Sequence, residues 1–90
     1  MHQLRFSIVI PTRERAETLR YALQTCIDQS FDGYEIIVHD NCSSPATREI
    51  VEQFGSEKVR YFRSDKPLAM SDSWERAVSF ARGEFVSVIG

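Results

Sequence analysis

Three polar segments of the sequence carry the side chains that could do chemistry. They are PTRER at residues 11–15, DNCSS at 40–44 and RSDKPLAMSD at 63–72. Arginine and lysine side chains bind phosphate groups, whereas carboxylates, amides and hydroxyls bind sugar hydroxyls and the edges of nucleobases. No serine–histidine–acid grouping accompanies these segments, so the sequence gives no sign of nucleophilic catalysis.

The first segment lies between the end of an apolar run and the start of a helical pattern. Arg13 and Arg15 could bind a phosphate through paired N–H donors, and free backbone N–H groups at the helix start would help to hold it. The simpler alternative is that Thr12 caps the helix and both arginines are solvated. The segment has neither G-x-G-x-x-G nor G-x-x-x-x-G-K, which argues against a dinucleotide-dependent oxidoreductase and against a P-loop.

The second segment begins with Asp40 and Asn41, which could make paired hydrogen bonds to a nucleobase edge or a ribose. The alternative is that both residues turn the chain by bonding their own backbone. His39, just before them, is expected to be packed or hydrogen-bonded near the site and not to be a catalyst.

The third segment offers Lys66 as a phosphate contact and Asp72 as a contact to a sugar hydroxyl. The alternative for Asp72 is a favourable place near a helix N-terminus, where a carboxylate interacts well with the helix dipole. Met70 and Trp74 are expected to lie in the core, and base stacking by Trp74 is the lesser alternative.

Two alternating hydrophobic periodicities predict the elements that position these segments. Strands are predicted at 6–10, 35–39, 59–62 and 84–90, and helices at about 16–29, 45–54 and 71–82. The expected N-caps of the helices are Thr12, then Ser43 or Ser44, then Ser71 or Ser73. The apolar residues Trp74, Ala77, Val78 and Ala81 are expected to form the buried stripe of the third helix.

This pattern predicts an α/β fold in which helices cover both faces of a doubly wound, Rossmann-like parallel sheet of three layers. The predicted strand order is 3-2-1-4, within a single domain spanning residues 1–90. The order places a topological switch point between the first and fourth strands, where ligands bind beyond the strand carboxyl ends. The three polar segments all lie at that edge of the predicted sheet.

Composition limits the classes of partner. The formal net charge is −2 and the basic residues are dispersed, so binding of nucleic acid is not expected. Cys26 and Cys42 have neither a disulfide nor a zinc spacing and are predicted to be free thiols. The sequence contains no apolar run long enough to span a bilayer and no signal-peptide pattern, and a cytoplasmic location is therefore expected.

The order and spacing of the segments resemble those of a known family. The stretch FSIVIPTRERAETLRYALQTCIDQSFDGYEIIVHDNCS, at residues 6–43, resembles the opening of family 2 glycosyltransferases, which are inverting enzymes with the GT-A fold. The stretch SFARGEFVSVIG, at residues 79–90, resembles the family's Ala-x-Gly-Glu-aromatic sequence and the strand that follows it. The resemblance implies transfer of a sugar from a nucleotide-diphosphate sugar, with UDP-sugar favoured, to an acceptor.

The resemblance also implies roles for individual residues. The family's first loop lies along the base and ribose, and one member of its acidic pair after the second strand binds the base. Asn41 replaces the second acid of that pair, and Glu14 stands where the family commonly has Asn. The residues implied to bind the nucleotide are Pro11, Thr12, Arg13, Glu14, Asp40 and Asn41. Lys66 and Asp72 are candidate donor-site contacts on their residue types in the third segment, not from the resemblance.

In the family, an Asp-x-Asp motif would follow Gly90 and hold Mg²⁺ or Mn²⁺ against the diphosphate. We therefore expect no catalytic or metal-binding residue within these 90 residues. The chain is interpreted as the N-terminal, nucleotide-binding part of a longer transferase, inactive alone and with sheet surface that could self-associate.

A different class of protein is the alternative: a stand-alone nucleotide- or protein-binding module of the flavodoxin or receiver type. A receiver domain needs a phosphate-accepting carboxylate at the end of a central strand, and Asp40 is the only candidate for it.

Overall fold

The computed structural model describes residues 5–28 and 33–89. Strands and helices alternate along them in the predicted order. They are β1 (Phe6–Thr12), α1 (Ala16–Ile27), β2 (Tyr34–Asn41), α2 (Pro45–Phe54), β3 (Val59–Ser64), α3 (Met70–Ser79) and β4 (Phe85–Val88). The expected end of the first helix at residue 29 and of the fourth strand at residue 90 lie outside the described residues.

The four strands form one parallel sheet in the order β3-β2-β1-β4, as the sequence predicted. β1 is central and pairs with β2 over its whole length, from Phe6 with Tyr34 to Thr12 with Asp40. Its other neighbour, β4, pairs from Phe6 with Phe85 to Val9 with Val88. Because β1 and β4 are not consecutive, their carboxyl ends form the switch point of the sheet.

Side chains alternate between the two faces of the sheet, and each face is covered by helices. On one face a large core joins β1 and β2 to α1 and α2, and its buried members include Ile10, Leu23, Ile36 and Ile50. On the other face a smaller core joins Val9 and Ile37 to Ala77 of α3. All eight residues of β2 are buried, as expected of a central strand in a three-layer fold.

α3 departs from its predicted stripe. Ala77 is fully buried, but Met70 is 76% exposed, Trp74 40% and Val78 39%, so the expectation that Met70 and Trp74 lie in the core is wrong. The helix approaches the sheet through the small side chains of Ser73 and Ala77, which leaves no room there for the large ones. Met70 and Trp74 instead lie at the side of the helix that borders a cleft.

The apolar run of β4 is typical of a buried strand, yet Phe85 is 55% exposed and Val86 44%. The reason is its place in the sheet: β4 pairs with β1 on one side only and is an edge strand. Phe85 stacks on Phe6 with a ring-centroid distance of 5.6 Å. The guanidinium carbon of Arg5 lies 5.9 Å from the Phe85 ring centroid.

The predicted N-caps are also corrected. Thr12 is the last residue of β1, and Arg15 precedes the first turn of α1 without a side-chain cap. Ser44 holds the N-cap position of α2 as predicted, but its hydroxyl makes no cap hydrogen bond. α3 begins earlier than predicted, with Ala69 at the N-cap.

Both cysteines are free thiols, as predicted, and burial raises the pKa of Cys26. Within the described residues, no helix combines the length and the apolar character needed to cross a membrane.

Candidate functional site

A cleft of about 490 Å³ lies beyond the carboxyl end of β1, at the edge of the sheet where the sequence predicted a site. One wall is formed by the β1–α1 loop and the first two turns of α1, including Arg13, Arg15 and Thr18. The opposite wall is formed by Leu68, Met70, Ser73 and Trp74 of the β3–α3 loop and α3. Asn41 and Ile89, which lie at the ends of β2 and β4, close the cleft.

The cationic groups of the cleft come from the β1–α1 loop. Arg13 and Arg15 are both exposed, and within the described residues neither guanidinium has a hydrogen-bond or ion-pair partner. Two guanidinium groups that are not neutralised by the protein can form bidentate bonds to phosphate oxygens. Thr12, by contrast, is only 8% exposed, so little of its side chain is available to a ligand.

Asn41 faces the cleft, and its carboxamide is bound to the backbone of the β3–α3 loop. Its Nδ2 donates to the carbonyl of Leu68 at 2.8 Å, and its Oδ1 accepts from the Leu68 N–H at 2.8 Å. The hydroxyl of Ser64 donates a further, longer bond of 3.3 Å to Oδ1.

Asp40 points to the opposite face of the sheet, because successive residues of a strand alternate. It is fully buried, and its carboxylate accepts hydrogen bonds from the Ser43 N–H at 2.9 Å and from the Tyr61 hydroxyl. The Nε of Arg63 lies 4.0 Å from the same carboxylate. Asp40 therefore does not line the cleft, and its buried carboxylate is not accessible as a receiver-type phosphate acceptor.

Glu14 joins the β1–α1 loop to the β2–α2 loop. Its N–H donates to the Ser43 hydroxyl at 2.8 Å, and its carboxylate accepts from the Ser44 N–H. Both Glu14 and Cys42 have left-handed backbone conformations, with φ of +52° and +57°. Such conformations disfavour residues other than glycine, so these contacts hold the two loops in a specific shape.

Lys66 and Asp72 are exposed and do not line the cleft. Asp72 lies in the first turn of α3, which agrees with the helix-dipole interpretation of this residue. The structure thus brings Pro11, Thr12, Arg13 and Asn41 together and leaves Glu14, Asp40, Lys66 and Asp72 outside.

The sequence-based list of site residues did not include the apolar wall of the cleft. Leu68, Met70, Trp74 and Ile89 all line it. Two of them could have been found from the sequence, because Met70 and Trp74 lie on either side of the predicted helix start, directly after a polar loop. With Pro11 and Leu19 on the facing side, the wall offers a flat aromatic ring and apolar surface against which a planar base could pack.

His39 lies behind the cleft and contacts Ser73, which lines it. It is 1% exposed, its Nδ1 lies 3.1 Å from the Ser73 hydroxyl, and its ring stacks on Phe80 with a centroid distance of 6.5 Å. Burial, and to a smaller extent the charge of Arg76, lower the pKa of His39, while Asp40 opposes this effect. The prediction that His39 is a packed or hydrogen-bonded strand residue is confirmed.

A smaller cleft of about 230 Å³ lies at the start of α2 and is lined by Ser43, Arg48, Tyr61 and Arg63, among others. Burial and the hydrogen bond to Asp40 raise the pKa of Tyr61, so its hydroxyl stays protonated and donates to that carboxylate. Arg63 and Arg48 are engaged with Asp40 and Glu52 respectively. This cleft is therefore part of the packing around Asp40.

The described residues include no group of three or more His, Cys, Asp or Glu side chains placed to hold a metal ion. The described lining of the cleft also contains no carboxylate, so these residues alone do not fit Mg²⁺ or Mn²⁺. The cleft combines exposed guanidinium groups with an apolar wall, which suits a ligand with an anionic part and a planar part.

Residues 7–90 match the sequence model of the family described as glycosyl transferase family 2. The chain is 30% identical over 88 residues to the cholesterol galactosyltransferase of Borreliella burgdorferi, covering 96% of this chain and 24% of that protein. Across six curated relatives it spans from 10% to 34% of their length.

Two solved structures share the fold. The S. aureus TarS 1-349 structure superposes with a TM-score of 0.83 at 25% identity, and a mannosyltransferase from Pyrobaculum calidifontis, in complex with GDP-Man and Mn²⁺, with a TM-score of 0.81 at 18% identity. Each match covers 96% of this chain and 27% of the other chain. The predicted Rossmann-like GT-A architecture is confirmed, and the family match favours a transferase over a stand-alone flavodoxin-like or receiver-like module. From the match over residues 7–90, the chain belongs to glycosyl transferase family 2.

Proposed function

We propose that this chain is the nucleotide-sugar-binding part of a glycosyltransferase that moves a sugar from a nucleotide-diphosphate sugar to an acceptor. The observation that carries the proposal is the cleft at the β1–β4 switch point, with Arg13 and Arg15 on one wall and Trp74 on the other. Its family membership supports sugar transfer as the activity of the whole protein.

In this proposal the diphosphate lies against Arg13 and Arg15, and the base packs between the apolar surfaces of Pro11, Leu68 and Trp74. Thr12 and Asn41 border the base and ribose. Glu14 and Asp40 act through the two loops they hold together, and Lys66 and Asp72 are outer contacts to the donor. UDP is the nucleotide that the family resemblance favours, while the Pyrobaculum calidifontis mannosyltransferase is in complex with GDP-Man.

Residues 1–90 form, in this proposal, one part of a larger catalytic domain, and we expect them not to transfer sugar alone. This is supported by the 10% to 34% of the relatives' length that the chain spans. A requirement of the whole enzyme for Mg²⁺ or Mn²⁺ is supported by the Mn²⁺ in the Pyrobaculum calidifontis complex. A cytoplasmic location stays a prediction.

Self-association is proposed for the exposed edge strand β4. Phe85 and Val86 are 55% and 44% exposed on a strand whose outer edge has no partner strand in the described sheet. Two copies could pair there, and sedimentation at increasing protein concentration would detect it.

Trp74 is the only tryptophan of the chain, so its fluorescence reports directly on the cleft. We expect UDP and UDP-sugar to change this fluorescence saturably, and the Trp74→Phe protein to give no signal. Acetyl phosphate and FMN serve as ligands of the alternative class. A response to either of them, without one to any nucleoside diphosphate, would overturn the proposal.

A further inference from the structure

We propose that Asn41 is a positioning residue that clamps the β3–α3 loop against the cleft, and that its carboxamide does not read the nucleotide base. The inference rests in part on the proposed function, since it assigns a role within the same cleft. Its central observation is the pair of hydrogen bonds between Asn41 and Leu68.

The two bonds fix the orientation of the amide group. The Leu68 N–H can only donate and its carbonyl can only accept, so Oδ1 must face the first and Nδ2 the second. Both distances are 2.8 Å, and Asn41 is only 6% exposed. A carboxamide is the one side chain of this size that offers a donor and an acceptor side by side. An aspartate at position 41 could accept from the N–H but would face the Leu68 carbonyl oxygen with a second oxygen.

The clamp leaves Asn41 little capacity to read a base. Oδ1 has two lone-pair directions, and the Leu68 N–H and the Ser64 hydroxyl use both. Nδ2 retains one hydrogen after its bond to the Leu68 carbonyl. One remaining donor cannot make the donor-plus-acceptor pair by which an amide distinguishes one base edge from another.

The loop that Asn41 holds is the one that builds the apolar wall. Leu68 lines the cleft itself, and Ala69, the next residue, is the N-cap of α3. The carbonyl of Ala69 accepts a hydrogen bond from the Ser73 N–H at 2.9 Å, and this bond begins the helix that carries Trp74. Fixing Leu68 to the end of β2 therefore sets the distance between the Trp74 wall and the Arg13 wall. A loss of the clamp should weaken the binding of every nucleotide by a similar factor.

The test compares wild type with Asn41→Asp, Asn41→Ala and Ser64→Ala proteins. Ser64→Ala is the matched control, because it removes only the 3.3 Å bond to Oδ1 and leaves the clamp intact. Two quantities are measured: hydrogen exchange of the Leu68 amide, and the Kd values of UDP, GDP and CDP from Trp74 fluorescence.

We expect a protected Leu68 amide in the wild type and the Ser64→Ala protein, and faster exchange in both Asn41 variants. The isosteric Asn41→Asp change should open the loop at least as much as truncation to Ala, because its carboxylate repels the Leu68 carbonyl. Affinities for UDP, GDP and CDP should fall together, by roughly tenfold, with their ratios unchanged.

Fast hydrogen exchange of the Leu68 amide in the wild type would by itself overturn the proposal that Asn41 clamps the loop. A change of tenfold or more in the ratio of UDP to GDP affinity in Asn41→Asp, with Leu68 still protected, would identify Asn41 as a base reader and overturn it too. If wild type binds no nucleotide, the proposed function fails, and the exchange measurement still decides whether Asn41 clamps the loop.

Discussion

The hydroxyl of Ser7 donates a 2.6 Å hydrogen bond to Oε2 of Glu35, where these two residues pair across β1 and β2. Glu35 is 2% exposed, and three further donors converge on its carboxylate. Arg60 donates at 3.1 Å, and the Nε and backbone N–H of Arg82 donate at 3.0 and 2.7 Å. A buried carboxylate thus ties three strands to the connection that leads into β4.

Replacing Glu35 with Gln should lower the free energy of unfolding by about 2–3 kcal/mol, because charge-assisted hydrogen bonds are lost in a buried place. Glu52→Gln is the matched control: Glu52 also pairs with an arginine, Arg48, but both side chains are more than half exposed. That change should cost less than about 0.5 kcal/mol. Urea unfolding measures both, and equal losses would contradict the role given to Glu35.

The pH dependence gives an independent check of the same residue. Burial acts to raise the pKa of Glu35, but the hydrogen bonds from Ser7, Arg82 and Arg60 outweigh it and lower the pKa below 4.5. The folded state then binds the proton less readily than the unfolded state. The stabilisation is present above pH 4.5 and is lost as the pH falls through the folded pKa. The difference between wild type and Glu35→Gln should therefore shrink on acidification from pH 6 to pH 3.

The sheet and the core that joins it to α1 and α2 could be predicted from the sequence because they depend on local periodicity. Apolar runs such as Ile8-Val9-Ile10 and Ile36-Ile37-Val38 mark central strands, and a helix between consecutive strands favours parallel pairing. The separation of Asp40 from Asn41 onto opposite faces follows from the two-residue period of a strand. That period is visible in the sequence, but the sequence-based interpretation treats the two residues as one pair.

Other features depend on partners far away in the sequence. Glu35 looks like a surface residue until Arg60 and Arg82, 25 and 47 residues further on, are brought to it. α3 starts at Met70, close to Leu68, whose backbone is hydrogen-bonded to Asn41. The N-cap predicted from local signals at Ser71 or Ser73 is therefore wrong. Long-range contacts override local preferences at such positions.

A side chain at position 83 should destabilise the protein, because Gly83 lies against the backbone of β1. A Cβ there would lie 2.8 Å from the carbonyl carbon of Phe6 and 2.9 Å from the backbone nitrogen of Ser7, and backbone atoms cannot easily yield. Its N–H also donates to the Ser7 hydroxyl at 2.8 Å. Gly83→Ala should therefore cost about 1–3 kcal/mol of stability.

The control for this change is Gly55→Asn. Gly55 ends α2 with a φ of +55°, and its surroundings are open, since a Cβ there would lie 3.9 Å from the Glu52 carbonyl oxygen. Asn accepts the left-handed conformation better than other residues, so the loss should stay below about 1 kcal/mol. Thermal unfolding compares the two proteins, and a larger loss for Gly55→Asn would refute the steric explanation of Gly83.

His39 should make the protein less stable in mildly acidic solution. Its pKa is lowered from 6.5 mainly by burial, so the unfolded state takes up a proton at a higher pH than the folded state. The stability is complete above pH 6.5 and declines as the pH falls to and through the folded pKa. Urea unfolding between pH 7.5 and 5.5 should show this slope in wild type and a flatter one in His39→Gln. Equal slopes would mean that His39 does not titrate differently on folding.

Arg13 should contribute to the binding of the diphosphate and not of the nucleoside. Its guanidinium lines the cleft and has no partner within the described residues, so it can donate two charge-assisted bonds to phosphate oxygens. Arg13→Ala should weaken UDP binding by about tenfold to a hundredfold, since a hydrogen bond to a charged group contributes roughly 1.5–3 kcal/mol. Uridine binding should change by less than about twofold.

The control for Arg13 is Arg20→Ala. Arg20 lies on α1, close to Arg13 in the sequence, but it contacts Gln53 at 3.3 Å and Glu17 at 3.6 Å and does not line the cleft. Its removal should leave the UDP affinity unchanged, which separates a specific contact from a general loss of positive charge. Titration at two salt concentrations strengthens the comparison, because screening weakens a long-range effect more than a direct contact. Equal losses for UDP and uridine in Arg13→Ala would place the diphosphate elsewhere, since only a contact to phosphate distinguishes the two ligands.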